Sequence, residues 1–226
     1  NMPISGDAVE IEGNAFTSAF GNGKTISGNQ IMKMSIKGDN ITIKDQAFIG
    51  AYSNYRGTIN KNHIVDLSIS DSKTVKIGDQ AFISFMGNQG SIKGSKTVNM
   101  SIDSSKIDIG EQISPDIFAN YGTISERQNI NIKINKVNVA TVNNDGQLTE
   151  ITVPNNINSI GYGAFDSHPI KKVTIGTNVN LLSSKSNTDD FNHFGNYDGG
   201  RFKEIYNEKG AGVYNYNEVT DVWSKE

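Results

Sequence analysis

Apolar residues along this chain come in short alternating pairs, separated by polar stretches rich in glycine and asparagine. Strands with one buried face have this period-two pattern. The pairs Val9/Ile11, Ile41/Ile43, Val75/Ile77 and Ile107/Ile109 recur. The first three are followed by Ala15-Phe16, Ala47-Phe48 and Ala81-Phe82, 32 and 34 residues apart, whereas the fourth has Ile113-Ser114. A second landmark, Met34-Ser35-Ile36, Leu67-Ser68-Ile69, Met100-Ser101-Ile102 and Ile132-Lys133-Ile134, repeats at intervals of 33, 33 and 32. The same step separates Thr25-Ile26, Thr58-Ile59, Ser91-Ile92 and Thr123-Ile124. Three landmarks sharing one period over successive copies define an internal repeat. A period of this length reads as a solenoid, in which each unit buries its apolar side against its neighbours.

Within the repeat, Ile31, Met34 and Ile36 are expected to point to one face and to stack with their copies as a parallel sheet. Segments beginning Asp45-Gln-Ala-Phe and Asp79-Gln-Ala-Phe carry helix-starting acids and predict a short helix or turn on the opposite side. Strands stack ~4.8 Å apart, whereas helices with side chains need ~10 Å, so such an array should curve into a horseshoe with its strands inside. Phe20, Tyr52, Phe85 and Phe118, spaced 32, 33 and 33 residues apart, are expected to form a second ladder.

After residue 147 the period shortens. Leu148-Thr-Glu-Ile151-Thr-Val153 is followed 22 residues later by Ile170-Lys-Lys-Val173-Thr-Ile175, and Phe202-Lys-Glu-Ile205-Tyr206 is expected to begin one more unit. The stretch Leu148-Thr-Glu-Ile-Thr-Val-Pro-Asn-Asn-Ile157-Asn-Ser-Ile160-Gly-Tyr-Gly-Ala164-Phe165 resembles the BspA-type leucine-rich repeat, L-x-x-I-x-I-P-x-x-V-x-x-I-G-x-x-A-F. Residues 170 to 182 match its first half. Residues 9 to 134 resemble it more loosely, with enlarged units and no proline after the first strand. The stretch from Tyr206 through Gly210, Gly212, Tyr214 and Tyr216 to Trp223 is similar to the tail that closes many such proteins. The resemblance implies a β-rich α/β repeat solenoid: a right-handed superhelix with a parallel sheet on its concave face and short helices or turns outside. It divides the chain into enlarged repeats over 1–147, short repeats over 148–206 and a C-terminal cap over 207–226. It also implies a bacterial surface protein that attaches to host or neighbouring-cell molecules.

Composition narrows the function classes. A net charge of −3 gives no basic footprint for a nucleic acid backbone. With no cysteine there is no disulfide and no thiolate site. No apolar run approaches a membrane span, and Asn1 to Gly6 has no signal-peptide character, so a signal or lipid anchor is expected upstream of Asn1. The expected state is a monomer without cofactor.

Chemical signatures are sparse. His63, His168 and His193 fall in no ligand pattern and are read as turn or surface residues. Asp189-Asp190 and Asn143-Asn144-Asp145-Gly146 lack the acid and glutamate spacing of a calcium loop, and Asp145-Gly146 reads as a type I′ turn. The glycines fit positive φ at repeat corners. Tyr52, Tyr55, Tyr162, Tyr197, Tyr206, Tyr214 and Tyr216 read mostly as packing or capping residues, although the C-terminal aromatics would equally suit a ligand platform. The repeat itself defines one surface: Ser35, Ser68, Ser101, Lys133, Thr152 and Thr174 at the middle outward position, with Lys33, Asp66, Asn99, Asn131, Glu150 and Lys172 two residues earlier. In a leucine-rich repeat these line the concave face. The plainer reading is a solvated sheet with Lys33 and Asp66 as a cross-strand pair. The function expected is a non-catalytic interaction or adhesion module for a protein or glycan at the cell exterior. A polysaccharide-binding or polysaccharide-degrading β-solenoid and a structural spacer are the alternatives; a degrading enzyme would need clustered acids on neighbouring rungs, and the outward positions show none.

Overall fold

Backbone hydrogen bonds between successive copies of the repeat stack the chain into rungs. The computed structural model describes residues 1–21, 23–112, 120–143, 145, 147–165, 168–183, 193–195 and 202–226. The first rung carries β1 (Met2–Ser5), β2 (Ala8–Ile11) and β3 (Thr25–Ile26), and the second β4 (Gln30–Lys37), β5 (Asn40–Ile43) and β6 (Thr58–Ile59). In the third rung the first two strands fuse into β7 (His63–Ile77), followed by β8 (Ser91–Ile92); in the fourth, β9 (Lys96–Ile109) precedes β10 (Thr123–Ile124). A bulge near Asp71, whose φ is 60°, lets β7 turn the corner without breaking. Every pairing between these rungs is parallel and in the register set by the repeat, such as Met34 on Leu67 on Met100. The Met2-Pro3-Ile4 segment pairs with Met34-Ser35-Ile36 and is a further copy of that landmark.

Alternation places one side of each strand in the core. Met34, Leu67 and Met100 form one interior column, and Ile36, Ile69 and Ile102 the next; all are buried. Ile41, Val75 and Ile107 line the second sheet with 1 %, 0 % and 0 % exposure, each worth roughly 1.5–3 kcal/mol of apolar burial. One expectation fails here. Ile31 points outward and is 53 % exposed, while Met32 takes the inward position. An unbroken strand alternates strictly, and the x-x spacing of the short motif needs a bulge, which the pairing of residues 148–153 has and β4 lacks.

Among the described residues, the side opposite the main sheet consists of turns, the second of the two forms expected there. Ala47 N–H bonds the Lys44 carbonyl and Ala51 N–H that of Phe48, closing successive turns with Gln46 (φ 61°) and Gly50 (φ 61°) at the third position. That position of a type II turn usually takes glycine. Here it is filled mostly by Asn14, Gln46, Gln80, Gln112, Ser18 and Ser84. Side-chain amides offset the strain: Gln46 Nε2 donates to Gln80 Oε1 at 2.9 Å and Gln80 Nε2 to Gln112 Oε1 at 3.2 Å. The alternate amides reach the next rung, as Phe16 N–H to Ala47 O and Phe48 N–H to Ala81 O, at 2.8 and 2.9 Å. The turns therefore stack at the same spacing as the strands, and the spacing mismatch that would bend a horseshoe is absent over these rungs. Beneath them Phe16, Phe48 and Phe82 stack with centroids 5.0 and 5.4 Å apart. Phe20, Tyr52 and Phe85 form a parallel ladder, both steps 4.9 Å; Phe118 and Ile113-Ser114 lie outside the described residues.

The period change has a structural counterpart. β11 (Gln128–Ile134) covers only the first half of β9 and turns back into β12 (Val137–Asn138) through Asn135 and Lys136, both at positive φ. β13 (Ala140–Val142), β14 (Leu148–Val153) and β16 (Lys172–Ile175) belong to a separate five-stranded sheet. Meanwhile β15 (Ile157–Ile160) stacks on the second half of β9, and β17 (Asn180–Leu181) on β15, so the second sheet continues unbroken. Gly161 is required at this junction, because a Cβ there would lie 2.3 Å from the Gly110 carbonyl carbon.

Residues 202–206 do not begin another strand. They open α1 (Phe202–Lys209), whose Phe202 and Tyr206 bury one face and whose Gly210 (φ 68°) donates to the Tyr206 carbonyl as a C-terminal cap. β18 (Gly212–Asn217) then pairs antiparallel with β16, and β19 (Val222–Lys225) with β18. Tyr214 and Trp223 are buried against Phe202, and Tyr216 against Trp223, so these rings pack inward.

All three histidines are buried; His168 and His193 lie in bends, as the turn reading has it, whereas His63 opens β7. His168 Nδ1 accepts from Leu148 N–H, and a ring nitrogen of His193 lies 2.8 Å from the Leu182 carbonyl. His63 belongs to an interior column, Gln30, His63, Lys96 and Gln128, at the corner where the main sheet begins. Both His63 and Lys96 have no exposure, and neither ring nitrogen of His63 has a hydrogen-bond partner among the described residues. Burial, helped by the Lys96 charge, pushes the imidazole down to about 3; burial pushes the Lys96 ammonium down to about 7.

Two predictions follow from the core. Phe48→Ala and Phe82→Ala should each cost about 3–5 kcal/mol in denaturant unfolding, against less for the half-buried Phe16; losses below about 1 kcal/mol for both would remove the ladder from the core. The column predicts a pH dependence. Between about 3 and 6.5 the unfolded chain protonates His63 and the folded chain does not, so stability should fall as pH drops through that window by on the order of a few kcal/mol. Lys96 acts in the same sense from 10.5 down to about 7. His63→Leu should flatten the acid limb of a melting-temperature profile; profiles that superimpose with the parent from pH 3 to 6.5 would refute the assignment.

Candidate functional site

The outward rows of the main sheet form a continuous polar surface. Lys33 Nζ lies 3.1 Å from Asp66 Oδ2, Asn99 Nδ2 donates to Asp66 Oδ1 at 2.7 Å, and Asn131 Nδ2 donates to Asn99 Oδ1 at 2.8 Å. Beside this ladder run Ser35, Ser68, Ser101 and Lys133 on consecutive strands. The structure thus brings eight of the sequence-derived face residues onto one sheet. The other four, Glu150, Thr152, Lys172 and Thr174, pair with one another on the five-stranded sheet. Lys37 and Asp71 add an ion pair at 3.2 Å along one margin. Exposed pairs of this kind contribute roughly 0–1 kcal/mol, so the rows decorate the fold and do not hold it together.

The outer face of the second sheet is more strongly charged. Lys44 bridges Glu10 and Glu12 on the preceding rung. Those hydrogen bonds raise the Lys44 ammonium above its ordinary value, and the one from Lys44 lowers the Glu10 carboxyl. Asp108 accepts from Asn158 and Ser159, tying the short repeats to the long ones. Among the described residues no three His, Cys, Asp or Glu side chains converge as metal ligands. Asn143 Oδ1 accepts from the backbone of Asp145 and Gln147, which closes that turn locally; Asn144, Gly146 and the pair Asp189-Asp190 lie outside the described residues.

One surface escaped the sequence reading. Tyr55 was grouped with packing aromatics and Tyr121 was not singled out, yet they are 53 % and 67 % exposed. The signal was available in the repeat: Asn54-Tyr55, Asn88-Gln89 and Asn120-Tyr121 are spaced 34 and 32 residues apart. The asparagines form an interior ladder, Asn54 Nδ2 to Asn88 Oδ1 at 2.9 Å and Asn88 Nδ2 to Asn120 Oδ1 at 2.7 Å, which fixes the residues after them in one outward column.

No described helix is long and apolar enough to cross a membrane. No characterised protein and no solved structure gives a significant match. Residues 60–191, more than half of the 226, match the family model of the BspA type leucine rich repeat region in six copies. Repeats of this class stack into extended surfaces used for protein interaction. With stacked strand-and-turn units over the described residues of the matched span, the chain belongs to the BspA-type leucine-rich repeat family.

Proposed function

We propose that this chain is a non-catalytic interaction module at a bacterial cell surface or secreted from it, holding a protein partner through the outer face of its main sheet. The observation that carries the reading is the eight-residue polar surface from Lys33 and Ser35 to Asn131 and Lys133, held in fixed register by a rigid parallel sheet. These side chains point away from the core, so the fold leaves them free to serve recognition. Glu150, Thr152, Lys172 and Thr174 extend the same role onto the neighbouring sheet. In this reading enlarged repeats (1–147), short repeats (148–206) and a C-terminal cap (207–226) work as one elongated monomer without cofactor.

Against catalysis stands the placement of the carboxylates. Asp66, the acid of the first ladder, is engaged by Lys33 and Asn99, and no second acid faces it on an adjacent rung of that row. Hydrolysis of a glycosidic bond usually needs two carboxyl groups flanking that bond.

Surface plasmon resonance against a panel of host extracellular-matrix proteins tests the proposal. Ser68→Arg and Ser101→Glu should leave the melting temperature within about 2 °C while weakening binding at least tenfold, because outward substitutions change stability little. A chain that binds no panel member, or whose binding ignores both substitutions, would leave the spacer as the better account.

A further inference from the structure

The turn side of the solenoid carries exposed aromatic rings in register, which the sheet face lacks. Tyr55, Gln89 and Tyr121 follow the paired asparagines on three consecutive rungs. At ~4.8 Å per rung, the two tyrosine backbones stand roughly 10 Å apart with Gln89 between them. The other described tyrosines are buried or half-buried. The column forms one wall of a groove of about 310 Å³, floored by small residues that include Ser18, Ser53 and Ser84. Two of these floor residues sit at corners of the turns, Ser18 at φ 53° and Ser84 at φ 50°.

The chemistry of this groove selects among ligands. Among the described residues, no side chain lining it is charged. Two exposed rings, a primary amide and a row of hydroxyls match a pyranose, whose C–H face stacks on an aromatic ring while its hydroxyls exchange hydrogen bonds with Ser and Gln. An extended peptide fits less well. Gly50, Ser53, Gly87 and Tyr121 already donate their backbone N–H groups to the Ile83, Gly50, Ser84 and Asn88 carbonyls, so main-chain pairing has few donors. A proline-rich segment needs an open slot between rings, and Gln89 occupies that position. Arg56 is held over the Tyr55 ring, 5.1 Å from its centroid.

From this geometry we infer that the groove binds an uncharged oligosaccharide, with Tyr55 and Tyr121 as stacking platforms two rungs apart and Gln89 with the floor serines reading the hydroxyls between them. The site shares no residue with the sheet face, so either can fail without the other.

The test is an array of neutral oligosaccharides of gluco-, galacto-, manno- and xylo-configured pyranoses, followed by calorimetric titration of the strongest binder. Tyr55→Ala and Tyr121→Ala should each weaken binding tenfold or more, and the double variant should abolish it. Both side chains are exposed, so the circular dichroism spectrum should not change. Ser68→Arg, on the sheet face, should leave sugar binding unaltered. The inference is overturned if no neutral oligosaccharide binds at millimolar concentration or if binding survives the double variant. It is equally overturned if a proline-rich peptide, and no sugar, shows the tyrosine-dependent affinity.

Discussion

Rung spacing governs this molecule. Hydrogen bonds link successive turns on the main sheet, the second sheet, the four-stranded sheet of β3, β6, β8 and β10, and also through the turns on the opposite side. Every column of side chains consequently repeats at one depth, ~4.8 Å, all the way round the coil. A residue then sits directly on its counterpart from the previous turn, and the favourable solution is like on like: phenylalanine on phenylalanine, glutamine on glutamine, asparagine on asparagine. The same closeness sets the glycines. Gly78, Gly110 and Gly161 lie on one another where a Cβ would meet backbone of the rung before, 2.6 Å away for Gly110 and 2.3 Å for Gly161.

Stacking at fixed depth also explains how the interior tolerates polar groups. An amide column satisfies itself, because each side chain both donates and accepts along the axis. His63 and Lys96 break that rule by placing two potential cations on adjacent rungs, with no exposure for either. The fold resolves the conflict by holding both down in pKa, so that it loses stability as protons are added. An apolar pair would remove this sensitivity, since neighbouring rungs carry Ile59, Ile92, Val65 and Val98 without difficulty at the same corner.

The period, the phase of the ladders and the lysine–aspartate pair could all be read from the sequence, because they follow from repetition alone. Features set by local geometry could not. Ile31 looked buried by analogy with the short unit, but a strand without a bulge turns it outward. Helix-starting acids at Asp45 and Asp79 left a short helix and a turn both open, and residues at positive φ and inter-rung bonds commit those segments to turns. Asp45 and Asp79 instead accept from the backbone N–H groups of Asp79 and Glu111 on the next rung. In Phe202-Lys-Glu-Ile-Tyr, the four-residue spacing of Phe202 and Tyr206 proved the stronger signal and folded the segment into a helix. The sheet-face residues were legible as positions, but their division between two sheets depended on β11 turning back, which spacing does not encode.

The same stacking rule bears on the aromatic groove. Phe48 and Phe82, on adjacent rungs, stack on each other at 5.4 Å and spend their ring faces on that contact. Tyrosines placed on adjacent outward positions would do likewise and present only edges to solvent. With Gln89 between them, Tyr55 and Tyr121 are a full rung further apart than direct stacking allows. The spacing of their backbones is then a multiple of the rung depth. A ligand built from units of similar length can meet both rings at once, whereas a compact globular partner would have to conform to a period it does not possess. Periodicity that makes the core self-complementary thus makes this part of the surface suited to a linear repeating ligand.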